Sequence, residues 1–255
     1  MGVIFTFFST NLLLVQDPII SPPPCIGNEC TDLVWHYDSL IVQPQLFNYQ
    51  VPQEICTIKM YFKHAVGCGK CYLSIIGYKI INCVGFNNFK QQILNGALEN
   101  ILVNSVMGDP NSCKPSKQTP CVNSIRVFTG ACKQEYHYYD TPGHDPNGNT
   151  VAYVPIISPW GFLGPNVPIY IPILPGETVY VPCSPVCCKA TYQFCAIFGI
   201  VANQEVVVYT LISTPDSGLT PNCSEAVSYT NDNRPCIADC WFSNFYKTIS
   251  KPIHK

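Results

Sequence analysis

The stretches ICTIKMYFK at residues 55–63 and CYLSIIGYKII at residues 71–81 decide the fold class. In the first, apolar side chains occupy the even positions from 56 to 62, while Thr, Lys, Tyr and Lys occupy the odd positions. This period of two is typical of a half-buried β-strand, and it predicts that Cys56 points inward. The second stretch is apolar on both faces, as in a central strand. The intervening HAVGCGK turn predicts a hairpin.

The next segment, FKQQILNGALENILVNSV at residues 89–106, has the pattern of an amphipathic helix. Its apolar residues fall at positions 89, 93, 94, 97, 98, 101 and 102, which form a stripe along one side of an α-helix. Asn88 and Gln91 resemble a capping box, and Gly108-Asp109-Pro110 supplies a stop signal. We expect the helix to pack across one face of the preceding hairpin.

The rest of the sequence, together with these elements, predicts a mainly β (α+β) fold. Strand patterns occur at residues 32–42, 122–139, 187–198 and 204–212, the last two as a hairpin. Prolines recur between residues 140 and 185, which predicts short edge strands and loops, and residues 221–255 are loop-like. We therefore predict disulfide-stapled antiparallel sheets, or a β-sandwich, with one amphipathic helix packed on a sheet.

The predicted organisation has three parts. Residues 1–24 form an apolar segment and a Pro-rich leader. Residues 25–140 form a domain of a β-hairpin and a helix, and residues 141–255 form a Pro- and Cys-rich β region.

Composition excludes one class of partner. Charged residues make up 12% of the chain, the net charge is −2, and arginine occurs only at positions 126 and 234. No basic stripe is available to neutralise phosphates, so we expect no nucleic-acid partner. The tyrosine-rich, charge-poor composition is instead typical of a protein that contacts another protein or a glycan.

Cysteine usage indicates the compartment. Only the C-x2-C of Cys68 and Cys71 has zinc-ligand spacing, and the five histidines are scattered, so the pattern favours disulfides in an oxidising compartment over zinc sites. The sixteen disulfide candidates are Cys25, Cys30, Cys56, Cys68, Cys71, Cys83, Cys113, Cys121, Cys132, Cys183, Cys187, Cys188, Cys195, Cys223, Cys236 and Cys240.

Two adjacent cysteines make a sharper prediction. If residues 187–198 form a strand, Cys187 and Cys188 point to opposite faces. They should therefore join different partners, with Cys188 in the core and Cys187 on the other face.

The N-terminus favours export. Residues 3–15, VIFTFFSTNLLLV, match the length of a signal-peptide apolar region and are too short to span a bilayer as a helix. No basic residue precedes this run and no A-x-A cleavage site follows it, and the alternative is an apolar N-terminal strand of the mature domain. No other stretch reaches transmembrane length, so we expect a secreted or cell-surface protein without a transmembrane helix.

The order of elements from about residue 50 to 200 resembles a group of uncharacterised Cys-rich secreted proteins of Bacteroidota. The likeness rests on CTIKMYF, CYLSIIGYKI, the amphipathic helix, IRVFTGAC at 125–132 and PC-x3-CC-x6-C, which includes residues 183–195. The resemblance implies export to the cell surface or medium, and it implies no activity.

Few residues suggest catalysis. Cys68 and Cys71 lie at a predicted hairpin tip, which favours structural bridges over a redox pair or a zinc knuckle. His137, Asp140, His144 and Asp145 lie close in sequence, but alternation separates His137 from Tyr136, so solvated strand-end residues are favoured over a metal or hydrolase site.

No G-x-S-x-G, H-E-x-x-H, Walker or dinucleotide fingerprint occurs. We therefore predict no catalytic, cofactor-binding or metal residues and no cofactor. The leading interpretation is a non-catalytic structural or binding protein. The alternatives are a secreted hydrolase with a site near residues 136–145 and an intracellular zinc-binding module.

Overall fold

A computed structural model describes residues 26, 30, 33–43, 56–83, 85–104, 113, 120–138, 152–156, 169–201, 204–215, 223, 235–242 and 245–252. These residues form a mainly β protein with one helix among them, as predicted. The elements are β1 (His36–Val42), β2 (Thr57–Gly67), β3 (Lys70–Asn82), α1 (Phe86–Asn104), β4 (Cys121–Gly130), β5 (Cys132–His137), β6 (Ala152–Pro155), β7 (Tyr170–Ile173), β8 (Thr178–Pro182), β9 (Cys187–Val201), β10 (Gln204–Pro215), β11 (Ile237–Ala238) and β12 (Phe245–Pro252).

One ten-stranded sheet dominates the described part of the chain. Its main path runs β11-β5-β8-β3-β4-β9-β10-β12, and β2 joins β3 to β1. The predicted central strand β3 pairs with β2 along most of its length, with β4 in parallel, and with β8 in antiparallel orientation. The sheet takes strands from both sides of the predicted boundary at residues 140–141.

The predicted hairpin of β2 and β3 is present, with its turn at Cys68 and Gly69. Both turn residues have positive φ, 50° and 69°, which is the backbone of the tight turn that matches strand twist. Glycine adopts this conformation without strain, whereas Cys68 requires other restraints to hold it there.

The helix covers one face of the sheet. Met60 and Phe62 of β2 and Leu98 and Ile101 of α1 are fully buried in one apolar cluster, here called the helix-side core. Cys56 also points into it, which confirms the alternation read from the sequence and the predicted seat of the helix.

The predicted start of the helix was wrong. The helix begins at Phe86, and Asn88 lies inside it with its N–H bonded to the Gly85 carbonyl at 3.0 Å. Phe89 has non-helical angles (φ −123°, ψ 17°), so regular helix continues only beyond it. The aromatic contact of Phe86 with Tyr78, 6.1 Å between centroids, adds an apolar anchor upstream of the cap signal. The predicted stop at residues 108–110 lies outside the described residues.

A second layer covers the opposite face, so the expectation that β2 is half-buried was wrong. Tyr61 is 2% exposed and Lys63 is 0% exposed, although both lie on the predicted outer face. Tyr61 belongs to a second apolar cluster that includes Trp35 of the segment before β1 and Val154 and Ile171 of β6 and β7. Burial on both faces leaves little surface for charged residues, in agreement with their low content.

The Pro-rich segment contains a short separate ribbon and also one strand of the large sheet. β6 and β7 form a short two-stranded ribbon, as its prolines led us to expect. β8, however, lies inside the large sheet between β5 and β3, so the expectation of edge strands alone was wrong. The sequence GETVYV at 176–181 contains no proline and leaves backbone N–H groups for both neighbours.

The C-terminal region also contains a regular strand. β12 pairs antiparallel with β10 from Val206↔Pro252 to Ser213↔Phe245, which corrects the prediction of a loop-like tail. Its β-branched Thr248 and Ile249 favour an extended backbone, but the single proline and lysines obscured that signal. Within the described residues, no helix has the length and apolar character needed to cross a bilayer.

Candidate functional site

Disulfides join segments that are distant along the chain. Fourteen of the sixteen cysteines form seven described pairs, and Cys187 is also disulfide-bonded, whereas Cys25 lies outside the described residues. The pairs are Cys30–Cys68, Cys56–Cys83, Cys71–Cys113, Cys121–Cys195, Cys132–Cys223, Cys183–Cys236 and Cys188–Cys240.

The C-x2-C at the hairpin tip does not pair with itself. Cys68 bonds to Cys30 and Cys71 bonds to Cys113, so this motif contributes two structural bridges to other segments, as predicted. A sulfur held in a disulfide has no thiolate to ligate zinc. The bridge to Cys30 also helps to hold the strained backbone of Cys68 in its turn.

The adjacent cysteines of β9 diverge as predicted. Cys188 is buried and pairs with Cys240, so the disulfide of Cys187 goes elsewhere. Strand alternation is the physical reason, because consecutive side chains point to opposite faces.

Three of the bridges fix the C-terminal segment to the sheet. We call residues 223 and 235–242, together with their partners Cys132, Cys183 and Cys188, the tail anchor. The bridges close sequence separations of 91, 53 and 52 residues, and four of the six cysteines lie buried in one small apolar cluster with Ala131. Backbone bonds reinforce them, since the Asp239 N–H donates to the Ala131 carbonyl at 2.8 Å.

Inside the tail anchor, one buried carboxylate meets two lysines and a tyrosine. The Lys133 Nζ lies 2.9 Å from the Asp239 Oδ2, and the Tyr78 hydroxyl donates to the same oxygen at 2.9 Å. Lys90 of α1 contacts the other oxygen, Oδ1. We call these four residues the Asp239 cluster. It brings together α1, β3, β5 and the chain just after β11.

Aromatic rings enclose this cluster. Lys133 Nζ lies 5.0 Å from the ring centroid of Tyr78 and 5.8 Å from that of Trp241, while Lys90 Nζ lies 4.9 Å from that of Tyr180. Lys133 is 0% exposed and Asp239 is 5% exposed. A substrate dissolved in water therefore has no direct approach to Lys133.

Burial and charge act in opposite directions on these groups. Burial lowers the pKa of Lys133, and Lys90 adds to this effect, against the opposing attraction of Asp239. Burial alone raises the pKa of the Asp239 carboxyl, but Lys133 and Lys90 outweigh it and hold that pKa below its ordinary value. Burial, with the nearby Asp239 charge, raises the pKa of Tyr78 well above its ordinary value, which keeps its phenol a hydrogen-bond donor.

A second buried ion pair has simpler surroundings. The Lys79 Nζ lies 2.8 Å from the Glu177 Oε2, and both side chains are 8% exposed. Lys79 also donates to the Pro172 carbonyl at 3.2 Å, and Glu177 accepts the Leu174 N–H at 2.7 Å. This pair fixes the turn before β8 onto β3.

The predicted polar candidates near residue 137 are only partly described. Tyr136 is buried and His137 is exposed, which confirms that they lie on opposite faces. His137 contacts Glu135 and Thr178, each at 3.2 Å, while Asp140, His144 and Asp145 lie outside the described residues. Within the described ranges, no three His, Cys, Asp or Glu side chains form a group able to hold a metal ion.

The outward face of the β6–β7 ribbon carries exposed aromatics. Tyr153 is 42% exposed and Tyr170 is 53% exposed, and in the register each lies opposite a proline, Pro172 and Pro155. Trp35 and Trp241, by contrast, are each only 3% exposed and belong to the interior.

Sequence reasoning missed the Asp239 cluster. Its members lie up to 161 residues apart, from Tyr78 to Asp239, so no local spacing joins them. The available signal was an isolated acid among apolar residues in IADCW at 237–241, whereas Lys133 is followed by the polar Gln134 and Glu135 and gives no such signal.

No protein-family model, curated protein or solved structure matches this chain. The resemblance to Cys-rich secreted proteins of Bacteroidota therefore stays a prediction.

Proposed function

We propose that the protein is secreted or displayed at the cell surface, where it acts as a non-catalytic structural or binding protein. The observation that carries this proposal is the disulfide framework, with seven pairs among the described residues. Such frameworks persist in oxidising compartments and are rare in the cytosol of most organisms. The apolar run at residues 3–15 supports the same location.

The chemistry of the described side chains supports a non-catalytic role. In the Asp239 cluster, Lys133 and Asp239 are buried away from solvent, and the buried Lys79–Glu177 pair fixes a turn. The surface suited to contact is the outer face of β6 and β7, where Tyr153 and Tyr170 offer large aromatic area beside proline. Tyrosine gives such area with little loss of conformational freedom, for a protein or glycan partner.

The compartment is tested on protein recovered from its native host. Thiols are titrated in denaturant with and without reductant, zinc is measured in the same sample, and the protein is located in the medium, envelope and cytosol. We expect no thiols before reduction, sixteen after it, no stoichiometric zinc and recovery outside the cytosol. Free thiols with bound zinc in cytosolic protein would overturn the proposal in favour of a zinc-binding module.

The binding role is tested with immobilised glycans and envelope preparations of the host. We expect Tyr153→Ala with Tyr170→Ala to abolish binding by the native protein, whereas Ile197→Ala, at a more exposed position in β9, retains it. Equal binding by both variants contradicts a contact role for the β6–β7 face. A hydrolytic activity lost on substitution of Asp140, His144 or Asp145 would instead establish the hydrolase alternative.

A further inference from the structure

The Asp239 cluster has an excess of positive partners for one buried carboxylate. Lys133 approaches Oδ2 at 2.9 Å and Lys90 contacts Oδ1, while the surroundings are the rings of Tyr78 and Trp241. Two ammonium groups and one carboxylate leave a net positive charge in a low-dielectric site, which is costly.

This cost is relieved most if the lysine with the least access to water loses its proton. The Lys133 side chain is 0% exposed, whereas that of Lys90 is 23% exposed and keeps contact with solvent. Burial and the neighbouring Lys90 both lower the pKa of Lys133. Desolvation and a neighbouring cation activate a lysine as a nucleophile, because they favour the unprotonated amine, whose lone pair can attack.

We propose that Lys133 and Asp239 condense spontaneously to an intramolecular isopeptide bond between Nζ and Cγ. The bond is an amide that joins β5 covalently to the tail anchor. It is a modification of the folded chain, and it is independent of the ligand or location proposed above.

The atoms and charges of the step balance without another reagent. The Lys133 amine attacks Cγ in its unprotonated form, and Oδ1 leaves as water with one proton from the Lys90 ammonium and one from Lys133 Nζ. Oδ2 becomes the amide oxygen, and the Tyr78 hydroxyl that donates to it at 2.9 Å stabilises the charge that develops there. Lys90, which is partly exposed, then recovers its proton from solvent. Lys90 is thus a catalytic general acid, and no oxidant, reductant or net charge is required.

Position and burial favour the bond. The attacking nitrogen lies 2.9 Å from one oxygen of the carboxyl group, which places it close to Cγ and makes the reaction intramolecular. Exclusion of water opposes the reverse hydrolysis. The product replaces a buried amine and carboxylate with one neutral amide.

The Lys79–Glu177 pair is an internal control. There one lysine faces one carboxylate among the described contacts, and the Leu174 N–H satisfies the same Glu177 oxygen. The single lysine and the single carboxylate balance each other in charge. We expect that pair to stay unlinked.

The test is peptide mapping of the purified full-length chain after reduction and alkylation. Trypsin does not cleave at an acylated lysine, so the peptide VFTGACK, residues 127–133, should be missing as a free species. Residues 127–189, left uncut after Lys133, should instead appear joined to the peptide that contains Asp239, at a mass one water below the sum of the two, and fragmentation should place the branch at Lys133. The peptide at residues 71–79 should be released normally, since it ends at the control Lys79. Full yield of linear 127–133 overturns the proposal.

Two variants test the assignment of roles. Lys133→Met should remove the loss of water from the Asp239 peptide, and persistence of that loss would show dehydration at Asp239 alone and overturn the proposal. Lys90→Met keeps both reacting groups. The linked fraction is followed over time after synthesis, and it should accumulate at least about tenfold more slowly than in the native protein. An unchanged rate overturns the role of Lys90. The wild-type digest decides the bond itself even if Lys133→Met fails to fold.

Discussion

The helix-side core and the tail anchor are stabilised by different physics. In the helix-side core, Leu98 and Ile101 of α1 meet Met60 and Phe62 of β2, all fully buried and within about forty residues of sequence. In the tail anchor, three disulfides and the Asp239 cluster hold a segment with only one two-residue strand in its described part, β11. Apolar burial therefore suffices where periodic elements pack, and specific bonds replace it where the chain is irregular.

The largest expected effect breaks the tail anchor. Replacing Cys188 and Cys240 together by Ala removes a bridge across 52 residues, which should lower the free energy of unfolding by about 4 kcal/mol. Urea unfolding measures the loss, and limited proteolysis should first cut the chain near residues 235–242.

The matched control removes the Cys56–Cys83 bridge, which spans 27 residues at the hairpin base. We expect a slightly smaller loss, because the closed loop is shorter, with the tail anchor still protected from protease. The same first cleavage site in both variants contradicts the proposed division of stabilisation.

The next effect concerns charge in the tail anchor. Asp239→Ala leaves Lys133 fully buried without its carboxylate, so we expect a loss of about 3 kcal/mol or more in the free energy of unfolding. Asp38→Ala is the control, because Asp38 is only half-buried and its carboxylate accepts the N–H of its neighbour Ser39. Equal losses for the two variants, measured by urea unfolding, would show that the Asp239 cluster contributes nothing special.

An apolar truncation probes the helix-side core in the same way. Leu98→Ala removes a fully buried side chain and should cost about 3 kcal/mol, as measured by thermal and urea unfolding. Gln92→Ala, on the exposed side of α1, should change stability by less than about 0.5 kcal/mol. Hydrogen exchange should show that Leu98→Ala weakens β2 and β3 before it weakens residues 235–242.

The smallest effect is a pH dependence at the rim of the helix-side core. His64 stacks on His36 at 5.5 Å and lies 6.2 Å from the Phe62 ring, and burial followed by repulsion from His36 lowers its pKa, against the attraction of Asp38. The folded state thus resists protonation of His64. The contribution of neutral His64 to stability is therefore fully present above about pH 6.5, and it declines as the pH falls towards the lowered pKa.

The check is the free energy of unfolding between pH 7.5 and 5. We expect a shallower decline in His64→Gln than in the native protein. Parallel curves would show that His64 contributes no such term.

The sequence predicted those features that depend on neighbours along the chain. Alternation at residues 56–62 placed Cys56 correctly, and alternation in β9 separated Cys187 from Cys188. It failed where a distant layer changes the environment. Lysine is usually a surface residue, so Lys63 was expected to face solvent, yet the second apolar cluster covers its side of β2. The Asp239 cluster was not predicted for the same reason, since Lys133 and Asp239 are adjacent only after β11 pairs with β5.

Strands from both sides of residue 140 alternate within one sheet, so the chain is poorly suited to being cut there into two fragments. Among the described bridges, Cys121–Cys195 and Cys132–Cys223 cross that point, and β3, β4 and β5 each pair with a strand that comes later in the chain. A fragment that ended there would leave the thiols of Cys121 and Cys132 without their partners and would expose unpaired strand edges. Such a fragment invites wrong sulfur pairing and strand-to-strand aggregation, so the first half is protected only once the second half has folded onto it.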